Sequence, residues 1–520
     1  MINPFDTSTT MKDHLSFFRE ILITGICIML FCTCNRHNEW LPEPKIKAGI
    51  AKISGKIILS SSGKDTEIPF VELRFPNPVT AGTARFETMV NPDGSFVFEV
   101  PVECSVIGSI IPYYVGVCLM PDEETKIEIF TAEGDDLKIN MESRFGLTSE
   151  DMLNLTDRKM WKTFYQWGKT TLTKLYTMKP EDFVQIRIEE MERRIKDAMA
   201  HLTLSKRVER HILNECRTIF LDAALLDYKE CILSDYRRKK GAEEPDEFIP
   251  QDPGKSYYTF LNYFNLNDPH YLYTGHYHIV LQTILSLEAL GIPAIGDTPI
   301  NEWLKVVKNT MAPLIGSDTG LFYEMLAANA YARQFNTQQK PLSEKQQENI
   351  TSYFKNRNIT QILLTKNKEI VKLYKENQAY FSLNINETPT VPKEALMNTI
   401  VSKHKGKVVF VDFWATWCAP CIEAMEEFRA VKSELKGRDI VYLYIASPSS
   451  PQKLWREKIE TIRGEHYYLT WEEWEYLMEG FDFEAIPSYL LFDTTGKLKL
   501  QRTAYPGNRE MKAKIEELLL

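Results

Sequence analysis

The sequence predicts a multidomain α+β protein with an N-terminal β-sandwich, an all-α middle domain and a C-terminal α/β domain. Three observations carry this. Short β-branched and aromatic runs, split by turn signals, fill the chain from about Ile50 to Met141. Apolar residues then recur at three- and four-residue spacing from about Leu147 to Gln378. From Ala379 onward, strand-like and helix-like segments alternate. The expected domains are residues 46–145, 147–378 and 379–520. A chain of 520 residues exceeds what one hydrophobic core usually organises.

The composition, 44% hydrophobic and 26% charged, is that of an ordinary globular protein. With 62 basic against 71 acidic residues the net charge is −9, so the basic footprint of a general nucleic-acid binder is missing. Nine cysteines are too few to staple a scaffold of this length. At the N-terminus, Met11, Lys12 and Arg19 precede an apolar run from Ile21 to Phe31. That run is short for a permanent membrane anchor and suits a signal peptide over residues 1–34. It ends in "LFCTC", which resembles the lipobox of bacterial lipoproteins with Cys34 as the lipid-bearing residue. Thr33 departs from the usual small residue there, and a plain secretory signal or an N-terminal anchor are the alternatives. Either way the chain is expected to be exported to the periplasm or cell envelope, and no second stretch approaches transmembrane length.

In the first domain the strand-like runs are "AKISGKIILS", "FVELRFP", "ARFETMV", "SFVFEVP", "SIIPYYVGVCLM" and "TKIEIFTAEG". The turn "NPDG", Asn91 to Gly94, separates two of them, and such close spacing suggests a sandwich. In the middle domain "PEDFVQIRIEEMERRIKDAMAHL" sets Pro180 and Glu181 at the start of an amphipathic pattern. "KRVERHILNECRTIFLDAALLDYKECIL", "INEWLKVVKNTMAPLI" and "LFYEMLAANAYARQF" continue the helical texture, with no fixed-period repeat. In the last domain "GKVVFVDFWA", "DIVYLYIAS" and "HYYLT" are strands. Helices are expected after Cys418, over "SPQKLWREKIETIRG" and over "WEEWEYLMEGF". "SYLLFD" and "LKLQRTAY" pair across "TTGK", and "NREMKAKIEELLL" closes the chain.

The chemistry concentrates in "FVDFWATWCAPC". A cysteine is nucleophilic as thiolate, and an unperturbed pKa of about 8.5 leaves little of that form at neutral pH. Cys418 lies where a strand ends and a helix begins, so free N–H groups and the helix dipole favour its anion. Cys421, one turn on, faces the same side and can attack a mixed disulfide formed at Cys418. Pro420 is tolerated in the first turn, where its missing N–H has no partner to lose. The same spacing is half of a zinc site, yet no second C-x-x-C or suitably spaced Cys/His pair accompanies it.

"VVFVDFWATWCAPC" followed by "AIPSYLLFD" resembles the thioredoxin superfamily, and more particularly its exported TlpA/ResA-like thiol–disulfide reductases. "NPDGSFVFEV" also resembles the small β-domains that precede such modules in Bacteroides-type lipoproteins. The resemblance implies a C-terminal thioredoxin-like α/β fold, with one helix–strand unit more than the minimal form before the proline. It places Ile486-Pro487 at the family's cis-proline facing the dithiol, and Asp412 at its buried aspartate. In a strand interior Asp412 should have a raised pKa and could take the proton of Cys421; the alternative is a hydrogen-bonded structural acid. Trp417, Ala419, Pro420, Ile486 and Pro487 form the implied substrate platform, while Trp414 fits either site or core. Ala419-Pro420 between the cysteines implies a fairly reducing centre. Glu426 stands where a kinking proline is common in this family, and Ala424 where these reductases often carry glutamate.

The resemblance implies no cofactor and no metal. It implies disulfide-containing exported proteins as substrates and a membrane thiol transporter of the CcdA/DsbD kind as electron source. An oxidase or isomerase on the same site, or a binding lipoprotein whose upstream domains engage a partner, are the rival readings. Three other groupings were weighed. His270, His276 and His278 in "PHYLYTGHYH" read as a loop cluster with no acidic residue close enough to complete a metal set. Cys104 and Cys118 lie on neighbouring strand-like runs and could pair, whereas Cys216 and Cys231 read as buried thiols. A peroxidase is disfavoured, because "ATWC" lacks the peroxidatic threonine spacing and Cys421 is adjacent.

Overall fold

The computed structural model describes residues 41–59, 69–131, 137–166, 174–239 and 248–520. The expected signal segment and Cys34 lie outside them. The chain divides into two compact units: one holds the described residues up to 292 and 306–325, the other 293–305 and 326–520 with residues 79–81. The helices expected over 147–378 are therefore shared between the two units.

In the first unit eight strands form two four-stranded sheets, in the orders β4-β1-β7-β8 and β3-β2-β5-β6. The strands are β1 (Ile46–Leu59), β2 (Phe70–Asn77), β3 (Gly82–Met89), β4 (Ser95–Cys104), β5 (Val106–Ile111), β6 (Val115–Leu119), β7 (Glu124–Thr131) and β8 (Leu137–Glu142). Alternation along β4 buries Phe96, Phe98, Val100 and Val102 while their neighbours stay outside. β3 lies against β4 and β6 against β7, so the two sheets stack as a sandwich. "NPDG" turns β3 into β4: the Gly94 N–H donates to Asn91 O at 2.8 Å, and a φ of 83° requires glycine there. "SIIPYYVGVCLM" is two strands, because the cis Ile111–Pro112 bond turns the chain between β5 and β6.

The helices of this unit begin with α1 (Ser149–Leu155), α2 (Arg158–Phe164), α3 (Pro180–Met199), α4 (Lys206–Leu221) and α5 (Tyr228–Lys239). Thr148 and Asp151 close a capping box on α1. α3 starts with its proline as the pattern indicated and buries Phe183, Met191, Ile195 and Ala198. Inside it, Glu190 pairs with both Arg187 and Arg194, so its charge is compensated. α6 (Tyr277–Ser286) completes this set; α7 (Ile300–Ile315) and α8 (Leu321–Arg333) have residues in both units.

The second unit contains α9 (Glu344–Tyr353), α10 (Arg357–Tyr380) and the C-terminal α/β domain. Six strands lie in the order β14-β13-β10-β11-β12-β9. They are β9 (Leu383–Asn386), β10 (Val408–Phe413), β11 (Ile440–Ala446), β12 (Gly464–Tyr468), β13 (Ser488–Phe492) and β14 (Leu498–Thr503). β9 to β12 run parallel, and β13 and β14 are antiparallel additions. Five helices are spaced between and after these strands: α11 (Lys393–Ser402), α12 (Ala419–Glu434), α13 (Gln452–Ile462), α14 (Trp471–Gly480) and α15 (Asn508–Leu518). β10 is buried throughout, as a central parallel strand must be. Val408 and Phe410 pack towards α12, α13 and α15, whereas Val409, Val411 and Phe413 pack towards α11 and α14. The result is a three-layer α/β/α sandwich whose central strand leads straight to the two cysteines.

Candidate active site

β10 ends at Phe413, and the next peptide remains tied to the sheet: the Trp414 N–H donates to Ile445 O at 3.0 Å. The chain then turns sharply. The Thr416 N–H donates to the buried Ser450 hydroxyl at 3.0 Å, and the Cys418 N–H to Ala415 O at 3.1 Å. Cys418 is the N-cap of α12, with Ala419 and Pro420 filling the first turn. Its sulfur accepts the Cys421 N–H at 3.2 Å, one of the otherwise unpaired donors at a helix start. Cys418 and Cys421 are joined as a disulfide with their Cα atoms 5.3 Å apart. Cys418 keeps 2% of its surface and Cys421 none, so an incoming sulfur meets Cys418 first.

Ile486–Pro487 is cis. Ser488, the next residue, stands opposite Phe413 in the β10–β13 register, so the cis bond lies at the strand end from which the cysteine loop departs. Pro487 is buried, and its carbonyl accepts the Ala504 N–H at 2.9 Å. Trp417 projects into solvent at 63% exposure beside Cys418, Pro420 is exposed and Ile486 is half-buried. These residues make an open apolar rim around the less exposed sulfurs. Trp414 is fully buried and belongs to the core.

Asp412 points to the α12 side of the sheet, between Tyr444 of β11 and Tyr489 of β13 in register. It is 2% exposed, and its Oδ1 is buried without a hydrogen-bond partner among the described residues. Burial alone pushes its carboxyl well above the usual range. A carboxyl raised in this way holds a proton more tightly than an ordinary aspartate, as a group that takes a proton from a neighbouring thiol must.

The histidines do have acidic neighbours, contrary to expectation. His270 is bonded to Asp268 at 2.8 Å and to Leu41 O at 2.9 Å, and His276 to Glu215 at 3.2 Å. His270 and His276 thus have partners of their own, the buried His278 Nδ1 has none among the described residues, and no group of three metal-type ligands forms among those residues. Cys104 and Cys118 are free and buried, so the pairing considered for them is not made. They end up on different sheets, and the Cys118 sulfur packs 3.8 Å from that of Met152. Cys216 is a buried thiol, and Cys231 is half-buried.

Sequence reasoning missed the polar residues that support the site. Ser450 fixes the cysteine loop, and Tyr444 and His466 lie buried in the sheet under α12, from which Lys432 reaches the Tyr444 hydroxyl. The period-2 pattern of "DIVYLYIAS" could have placed Tyr444 beside Asp412, but nothing local reveals the reach of Lys432 from a helix.

The Redoxin family profile matches residues 389–519. The thiol-disulfide oxidoreductase ResA of Geobacillus thermodenitrificans is 24% identical over 120 residues, covering 23% of this chain and 67% of that protein. Thioredoxin 1 of Chlorobaculum tepidum is 52% identical over 33 residues, 6% of this chain and 33% of its own length. Among solved structures, a thiol:disulfide interchange protein of the thioredoxin family from Chlorobium tepidum matches at 21% identity. That match covers 23% of this chain and 84% of the other, with a TM-score of 0.21. The C-terminal domain of this chain is a redoxin domain of the thioredoxin superfamily.

Proposed function

We propose that the chain is an exported thiol–disulfide oxidoreductase that reduces disulfides of periplasmic or envelope proteins, held at the membrane by a lipid on Cys34. The observation that carries this reading is the Cys418–Cys421 pair at the start of α12, at the same sheet end as the cis Ile486–Pro487 bond. In the reduced enzyme the Cys418 thiolate attacks a substrate disulfide, forming a mixed disulfide and releasing one substrate thiolate. Cys421 gives its proton to Asp412, and its sulfur attacks Cys418. The second substrate thiolate leaves, two electrons have passed to the substrate, and the Cys418–Cys421 disulfide remains. A membrane thiol transporter of the CcdA/DsbD kind would return the electrons. Trp417 and the half-buried Ile486 offer the apolar rim against which a substrate strand lies.

Trapping tests the order of attack. With an oxidised protein substrate such as insulin, Cys421→Ser should accumulate a mixed disulfide through Cys418, and Cys418→Ser should accumulate none. Trapping through Cys421 instead, or through neither cysteine, contradicts the proposal.

A further inference from the structure

Ahead of β1 runs a strap, residues 41–45, that has no regular secondary structure. It is fastened nonetheless. Leu41 is 5% exposed and Pro44 is buried, while Pro42, Glu43 and Lys45 are exposed. The Tyr273 hydroxyl donates to Pro42 O at 2.6 Å, and His270 Nε2 lies 2.9 Å from Leu41 O. The other ring nitrogen, Nδ1, lies 2.8 Å from Asp268 Oδ1, which also accepts the His270 backbone N–H at 2.9 Å. All of these residues belong to the first unit.

These two ring contacts fix the charge of the imidazole. Burial pushes the Asp268 carboxyl up, but hydrogen bonds from His270 and Asn214 outweigh it and hold the group below its usual range, as a carboxylate. A carboxylate and a backbone carbonyl can only accept, so His270 satisfies both only with a proton on each nitrogen.

We propose that His270 is a proton-operated latch, which as imidazolium fastens residues 41–45 to the first unit and as neutral imidazole lets them go. A neutral ring has a single N–H. The charged Asp268 is the stronger acceptor and takes it, which leaves the Nε2 lone pair facing the Leu41 carbonyl oxygen. That contact is repulsive, and the strap loses its hold at Leu41.

The surroundings set the direction of the switch. The hydrogen bond to Asp268 raises the pKa of His270, burial opposes the rise, and the Leu41 carbonyl and the charges of Asp268 and Glu43 add to it. From α4, Arg207, Arg210 and His211 line the same crevice as Leu41 and His270 and favour the neutral ring. The balance is a rise, so the latch holds in acid and is lost as pH climbs through a value above the ordinary 6.5 or so. With a lipid on Cys34, the latch also sets the reach of the tether. At full extension the chain from Cys34 spans about 25 Å to Leu41 and about 40 Å to Ile46, so release lets the first unit stand further from the bilayer. That consequence rests on the lipid anchor proposed above; the latch does not.

The test is nuclear magnetic resonance of the purified chain, without membranes, from pH 5.5 to 9. Carbon-13 in the histidine rings reports the His270 proton. Relaxation of the Leu41 methyl groups by a soluble gadolinium chelate reports the strap. Below the His270 midpoint these methyls should be shielded, and above it their relaxation should rise severalfold. His270→Ala should give the released signal already at pH 6. Asp268→Asn, which keeps the side chain's shape, should lower the His270 midpoint and carry strap release down with it. A His270 ring that is neutral at pH 6, or Leu41 methyls that stay shielded after it has lost its proton, would overturn the inference and leave the proposed function standing. If His270→Ala fails to fold, Asp268→Asn decides: strap release that does not follow the His270 midpoint overturns the latch.

Discussion

A carboxyl that is 2% exposed, with one oxygen unpartnered and tyrosines on both sides, keeps its proton far above the ordinary carboxylate range. The linkage has a definite sign. Folded Asp412 binds a proton that the unfolded chain has already released, so stability falls as pH rises from the ordinary carboxylate range through the raised value. Asp412→Asn should therefore stabilise the second unit at pH 8, by about 1–3 kcal/mol, and change little at pH 4. Urea unfolding at the two pH values checks this; equal effects at both would mean that the carboxyl is compensated in the fold. The same substitution should slow thiol release by Cys421, so stability and activity move in opposite directions at one residue. How far such residues are visible in the sequence depends on the range of their interactions. Cys418, Cys421, Asp412 and Pro487 sit in local patterns that the chain displays directly. Lys432 and Ser450 act through contacts that exist only after α12 and the loop following β11 are in place.

At the scale of elements, the site depends on loops clamped by single groups. The buried Ser450 hydroxyl receives the Thr416 N–H, and its carbonyl accepts the Tyr468 hydroxyl at 2.6 Å. Ser450→Ala leaves a buried N–H unpaired, which should cost about 1–3 kcal/mol and lower the rate of disulfide reduction. Wild-type activity together with wild-type stability would show that this clamp is dispensable. β12 begins at Gly464 with φ 132°, where an added Cβ would lie 2.6 Å from Tyr442 O. Gly464→Ala should thus destabilise the β11–β12 pairing by at least about 1–3 kcal/mol, measured by urea unfolding. A neutral result would mean that this backbone can relax. β9 and α11 were not anticipated because "LNIN" is four residues long and rich in asparagine, which the strand pattern does not favour. β8 was likewise missed, and β5 and β6 merged into one run because apolar residues continue through the cis-proline turn.

For the whole molecule, buried histidines in both units work against the fold in acid. Burial holds His466 neutral down to about 3 in one unit and His278 down to about 4 in the other. Both folded values lie below the unfolded one, so the unfolded chain binds more protons and stability is lost as pH falls below about 6.5. His466→Phe should therefore lessen the acid-side loss in the urea midpoint of the second unit between pH 7 and 4 and leave the pH dependence of the first unit unchanged. The division into units was the least legible feature: helical periodicity is continuous from Leu147 to Gln378, and only tertiary contacts assign those helices to different cores. The central claim concerns direction of electron flow, and the equilibrium reduction potential of the Cys418–Cys421 couple tests it most directly. Titrated against glutathione and dithiothreitol, the purified chain should show a reversible two-electron couple at about −270 mV, as a reductant requires. A value of about −120 mV would make it a disulfide donor, and the absence of a reversible couple would contradict the account altogether.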